Sequence, residues 1–172
     1  MSGFDETPKH GWRVHRLLEE RAKLAPEFPF LHFEDRDYTH AEMNHRANCM
    51  AAGLVALGLE KGARVAVMMK SSPEYIDVWF AIAKVGAVEV PLNTAYKGEI
   101  LTHMLNNSGA TMMVLDAEFL PAAAAVAARC PALEHFIVRA EDGMADDVAL
   151  PGARHDFAQL PTGGGDNPGL EI

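Results

Sequence analysis

The sequence predicts an α/β fold: a parallel sheet of βαβ units in a flavodoxin-like, doubly wound layer, preceded by a helix and a short β-hairpin. Three observations lead there. Between residues 63 and 138, short apolar runs alternate with helical patterns of about 10 to 15 residues. The apolar runs lack a polar alternation, which marks strands covered on both faces rather than on one. Residues that start and stop helices stand at the borders, as in Ser72-Pro73 before one pattern and Gly86 after it.

The elements follow in order. "GWRVHRLLEERAKLAP" sets Val14, Leu17 and Leu18 on one helical face, with Pro26 at the exit. "FPFLHFEDRDYTH" alternates large apolar and polar residues and predicts two short strands turning around Asp35-Arg36. Thr39 and Glu42 have capping-box spacing, so a helix starts there. Met43, Ala47, Met50, Leu54 and Leu57 line one face of it, and Gly58 suits a left-handed C-cap. "ARVAVMM", "AVEVPL", "ATMMVLD" and "EHFIV" are then strands, separated by the helices "SSPEYIDVWFAIAKVG", "KGEILTHMLNNSG" and "AEFLPAAAAVAARC". Four strands joined by three crossovers are expected to wind right-handed.

Residues 1–140 thus read as one subdomain. Residues 141–172 are rich in Gly, Pro and Asp and read as a linker leading to a further part of a larger protein. Within them a short strand or turn is expected around His155 to Leu160.

Fifteen basic against 24 acidic residues leave a net charge of −9, dispersed along the chain. Such a surface repels phosphate backbones, so nucleic acid is not an expected partner. No apolar run is long enough to span a bilayer and the start does not resemble a secretory signal, so a cytoplasmic location is expected. Cys49 and Cys130 are too few for a disulfide scaffold and read as buried small hydrophobes.

The search for chemistry finds no catalytic set. "TGGGDNPG" could offer backbone amides to a phosphate, but neither Lys-Ser/Thr nor a helix follows, so it reads as linker. The eight histidines are scattered and none stands in a zinc-type spacing with cysteine, so no metal site is expected. A Gly-x-Ser-x-Gly nucleophile elbow is absent. One loop stands out, because ligands of open parallel sheets bind beyond the carboxyl ends of the strands. In "LNTAYK", Lys97 could pair with a phosphate and Tyr96 could form an aromatic wall. The competing reading is an ordinary loop in which Thr94 caps the next helix.

The order of these segments resembles the N-terminal subdomain of the adenylate-forming acyl-CoA synthetases, the AMP-binding enzymes. The likeness runs from about Gly11 to Leu120. It rests on Tyr38-Thr39, the Gly58-Leu59-x-Lys61-Gly62 turn, the Ser72-Pro73-Glu74 cap, Lys84-x-Gly86-Ala87, Pro91-Leu92-Asn93 and Asn107-Ser108-Gly109-Ala110. Within the family the pattern is most similar to ligases of fatty or carnitine-like acids. The resemblance implies that a carboxylate attacks the α-phosphate of Mg-ATP to give an acyl-adenylate, from which coenzyme A then displaces AMP. It implies ATP, Mg2+ and coenzyme A as cofactors of a parent enzyme, a carboxylic acid as substrate and the rest of that enzyme as partner.

The family's glycine-rich phosphate loop is not in this sequence. No cofactor is therefore expected to be held by this segment alone, Tyr96 and Lys97 would form only the rim of a cleft, and faces meant for the remainder could drive self-association. The alternative is a free-standing α/β binding module without enzyme activity. A reading frame that continues past codon 172 into a glycine-rich loop would separate the two.

Overall fold

The computed structural model describes residues 13–140, 148–160 and 166. Helix α1 (Val14–Leu24) leads into the antiparallel strands β1 (Pro29–Phe33) and β2 (Arg36–Thr39). The turn falls on Glu34 and Asp35, one residue earlier than the sequence pattern suggests. Glu34 takes the left-handed conformation there, φ 52°, so that Phe33 can pair directly with Arg36. Helix α2 (His40–Ala56) follows at once, with the Thr39 side chain accepting from the amide of Glu42 as expected.

The chain then alternates through β3 (Arg64–Met68), α3 (Pro73–Val85), β4 (Val88–Pro91), α4 (Gly98–Ser108), β5 (Met112–Asp116), α5 (Leu120–Ala127) and β6 (His135–Arg139). Ser72 caps α3 by accepting from the amide of Tyr75, and Gly86 closes it at φ 74°. A fifth parallel strand, β7 (Ala153–Asp156), follows, so the region read as linker also supplies sheet. A single 3-10 turn (Phe157–Gln159) comes next.

The parallel sheet is ordered β4-β3-β5-β6-β7. This is the flavodoxin-like order, in which successive crossovers leave the first strand in opposite directions and open a crevice at its carboxyl end. Both faces are covered. On one side α2 and α3 pack Met50, Leu54, Val78 and Ile82 onto Val65, Val67, Val114 and Ile137. On the other, α4 and α5 pack Leu101, Leu105, Ala123 and Val126 onto Met68, Met113, Leu115 and Phe136.

A third cluster, Leu18, Tyr38, Met43, Ala47 and Phe80, fixes α1 and the hairpin against α2 and α3. Here the expected face of α1 is only partly right. Leu18 is buried, but His15 and Glu19 are buried with it, because Lys84 of α3 reaches across to Glu19. Strand β4 also departs from the pattern of full cover, since it is an edge strand and Val88 is 50% exposed.

Candidate functional site

At the carboxyl ends of the strands, each apolar run gives way to a polar residue, because the chain there leaves the covered sheet. Beyond β3 the chain reaches Lys70 and Ser72, β5 ends in Asp116, and β6 ends in Arg139. The three loops lie together. Asp116 accepts the amide of Lys70 through Oδ2 at 2.7 Å and Arg139 Nε through Oδ1 at 2.7 Å. Arg139 Nη1 also donates to Ser72 Oγ at 3.0 Å and to Glu74 Oε2 at 2.9 Å. From α2, Arg46 donates to Glu74 Oε1 at 3.1 Å and grips both Asp77 oxygens at 2.6 to 3.1 Å. Lys70 Nζ pairs with Glu118 in the turn after β5.

Two arginines thus tie four elements around Glu74. Burial opposes the Glu74 carboxylate, yet its own backbone amide, Arg46 and Arg139 together hold its pKa below the ordinary value. Burial likewise opposes the Arg46 charge, and Asp77 and Glu74 outweigh it, raising that pKa. Burial pushes Asp77 up to about 6 against the pull of Arg46. The chelating contacts keep it a carboxylate at neutral pH.

Two adjoining clefts open on this surface. The smaller, about 210 Å³, is lined by Lys70, Asp116, Glu118 and Arg139 at the crevice of the sheet. The larger, about 550 Å³, lies between the loop after β4 and the turn after β5. Its lining includes Thr94, Lys97, Glu118, Phe119 and Pro121.

Of the sequence-selected pair, Lys97 is exposed at the rim of the larger cleft. Tyr96 is half-buried and packs against the core under α4 and α5, so its ring is not on the cleft wall. Phe119 supplies the aromatic surface there. Thr94 does not cap α4, whose N-cap is Lys97 without a side-chain bond. The loop is instead turned by Asn93, whose Oδ1 accepts the amide of Ala95 at 2.9 Å.

The sequence reading passes over Lys70, Asp116, Glu118 and Arg139. The available signal is positional, since each ends or follows a strand beside the reversal in strand order. His45 and Cys49, read from the sequence as a scattered histidine and a buried small hydrophobe, lie one turn apart on α2 with Nε2 and Sγ 3.7 Å apart. Cys49 is therefore half-buried beside a histidine rather than fully buried, whereas Cys130 is buried as expected. No third donor makes a metal-binding group of them among the described residues. The "TGGGDNPG" segment lies outside the described residues apart from Asp166.

The chain is thus a doubly wound α/β domain with a charged, cross-tied crevice at its switch point, the place where ligands of such sheets bind. The chain belongs to the AMP-binding enzymes: the family model described as AMP-binding enzyme matches residues 18–162. It is 33% identical over 116 residues to crotonobetaine/carnitine–CoA ligase of Salmonella paratyphi A, covering 64% of this chain and 22% of that protein. It is 32% identical over 148 residues to phosphinothricin tripeptide synthetase PhsC of Streptomyces viridochromogenes, covering 85% of this chain and 14% of that protein. Among solved structures, the N-terminal domain of FACL13 from Mycobacterium tuberculosis superposes with a TM-score of 0.77 at 30% identity. That match covers 93% of this chain and 38% of the other. The chain spans less than a quarter of the length of the two curated relatives.

Proposed function

We propose that this chain is the N-terminal part of an ATP-dependent carboxylate–thiol ligase and contributes one wall of its cleft. The observation that carries the reading is the family match over residues 18–162 on a fold whose crevice lies at the expected strand ends.

The residues present fit an anionic ligand with an apolar portion. Lys97 stands over a cleft walled by Phe119, Pro121 and Ala122, which suits a phosphate beside the base or pantetheine arm of ATP or coenzyme A. They do not fit Mg2+. The Asp116 oxygens are taken by the Lys70 amide and Arg139, and Glu74 is held by two arginines. When bound, ATP would supply the adenylyl group that activates the acid as its acyl-adenylate, with pyrophosphate as the leaving group. This chain's role is to position the wall and hold an anion, while the phosphate loop and metal ligands belong to the rest of the parent.

Within that class we place the acid among fatty or carnitine-like acids, and the ligase relative's name, at 33% identity, supports the carnitine-like choice. The tripeptide synthetase match covers more of this chain and supports an amino acid as the second reading. Pyrophosphate exchange by the complete protein with fatty acids, carnitine and amino acids separates them.

Two outcomes are expected. The 172-residue chain alone exchanges no labelled pyrophosphate into ATP with any acid, because the charge on the phosphates is not neutralised without the phosphate loop. Exchange above a buffer control would overturn the assignment as a wall only. In the complete protein, Lys97→Ala raises the apparent KM for ATP or coenzyme A about fivefold, roughly 1 kcal/mol for a partly solvated charge. Unchanged KM values for both would return Lys97 to the solvated surface.

A further inference from the structure

His135 opens β6 and His155 lies within β7, far from the crevice just described. Their strands run side by side with Ile137 opposite His155, which puts both imidazoles on the sheet face of Ile137. Nδ1 of His135 and Nε2 of His155 are 3.0 Å apart. The ring centroids are 5.2 Å apart and the planes are tilted by 31°. The centroid separation nearly equals the nitrogen separation plus the two ring radii, so the two nitrogens point at each other along an almost straight line.

Such a contact holds one proton, donated by one ring and accepted by the other. A pair carrying one positive charge keeps the contact, the imidazolium donating to the neutral ring; when both rings are cations no acceptor is left, and two N–H bonds and two charges meet head to head.

We propose that the His135–His155 pair is a one-proton clasp that holds the edge strand β7 on the sheet at neutral pH and releases it in mild acid. Among the described residues β7 pairs with one strand, β6. The segment before it packs Val148 and Leu150 against the α4 and α5 face. The segment after it anchors through buried Leu160 and half-buried Phe157 against the α2 and α3 face.

The neighbouring charges do not offset a second proton on the pair. Glu134 directly precedes β6, while Arg154 and Asp156 on β7 alternate to the opposite face, and Asp156 accepts the amide of Ala158. Arg139 is bound at the far end of β6 by Asp116, Ser72 and Glu74. The last turn of α2 has no basic residue, and Lys84 near the end of α3 is directed to Glu19 and Asn44. The turn 157–159 is uncharged. Burial and the charge of His135 both lower the His155 pKa.

The sign follows. A histidine whose pKa is lower in the folded state binds fewer protons there than when released, so the clasp is at full strength above about pH 6.5 and weakens as pH falls below it. The test is hydrogen exchange of residues 153–160, corrected for intrinsic rates, from pH 7.5 to 5.0. Protection is expected to fall about tenfold per pH unit below 6.5, the slope of one linked proton, while β3 and β5 keep theirs. His155→Asn and His135→Asn should each flatten the profile, including by leaving the segment unprotected at every pH. A flat profile in the unaltered chain, or the same fall in both variants, would overturn the clasp.

Discussion

Lys84→Ala is expected to destabilise the chain by about 3–5 kcal/mol, the usual loss when one member of a buried ion pair is removed. Lys84 is 1% exposed, and its Nζ donates to Glu19 Oε1 and to Asn44 Oδ1, each at 2.9 Å. Burial works against both charges. It lowers the Lys84 pKa, whereas for Glu19 the contacts with Lys84 and Arg16 outweigh burial and hold the carboxyl below its ordinary value. Alanine would strip a carboxylate that is 5% exposed of its buried partner, leaving it, among the described residues, Arg16 at 3.0 Å, and would leave a void where the lysine stem lay.

The charge, rather than the volume, should dominate. Lys84→Met keeps the stem and should still be costly, while Lys84→Met combined with Glu19→Leu should recover most of the loss, since an apolar pair needs no compensation. Urea unfolding read by circular dichroism measures all three, with a midpoint fall on the order of 10 °C in the matching thermal scan of Lys84→Ala. A loss below about 1 kcal/mol for the alanine variant, or no recovery in the double variant, would refute the account.

Glu19 and Lys84 also show where a sequence stops being legible. The caps of α3 could be read because Ser72, Pro73 and Gly86 act on neighbouring backbone. The burial of Glu19 could not, because its partner is 65 positions away and periodicity favours Val14, Leu17 and Leu18 instead. Strand β7 was legible only as a possible short element near residue 155. "ARHD" has no apolar alternation, and it becomes a strand through its ladder to β6 and the close approach at Gly152. A Cβ on Gly152 would lie 2.3 Å from the carbonyl oxygen of Glu134. The three helical crossovers from β3 to β6 could be read from the pattern, but the fourth parallel connection, to β7, could not, and the strand order depends on which face each helix covers.

The same limit applied at the crevice. The loop at residues 92–97 was found as the first polar stretch after a strand, and Lys97 does line a cleft. Tyr96, read as a possible aromatic wall, is half-buried and packs against the core under α4 and α5. Asp116 and Arg139 end strands in the same way as that loop begins. Their pairing depends on β5 and β6 being neighbours, a fact of topology.

That pairing supports the second large effect. Arg139→Ala is expected to cost about 2–4 kcal/mol, because hydrogen bonds to charged groups contribute about 1.5–3 kcal/mol each and the guanidinium makes three such contacts in a site only partly open to water. The lower half of the range allows for a side chain that is 17% exposed and for the partners that remain. Asp116 would keep the Lys70 amide and Glu74 would keep Arg46, but the two carboxylates would lose the cation they share. Arg139→Lys restores the charge without the planar fork, so it should recover part of the loss. A double-mutant cycle with Glu74→Gln should return a coupling of about 1 kcal/mol or more, since the two side chains are in contact. The effect should also be local. Amides of residues 69–72 and 116–119, which border the smaller cleft, should exchange faster, while Val114 and Ile137 in the sheet interior change only with global stability. An Arg139→Ala chain as stable as the original, with unchanged exchange at residues 69–72, would mean that backbone pairing alone positions the crevice and that the arginine only decorates its rim.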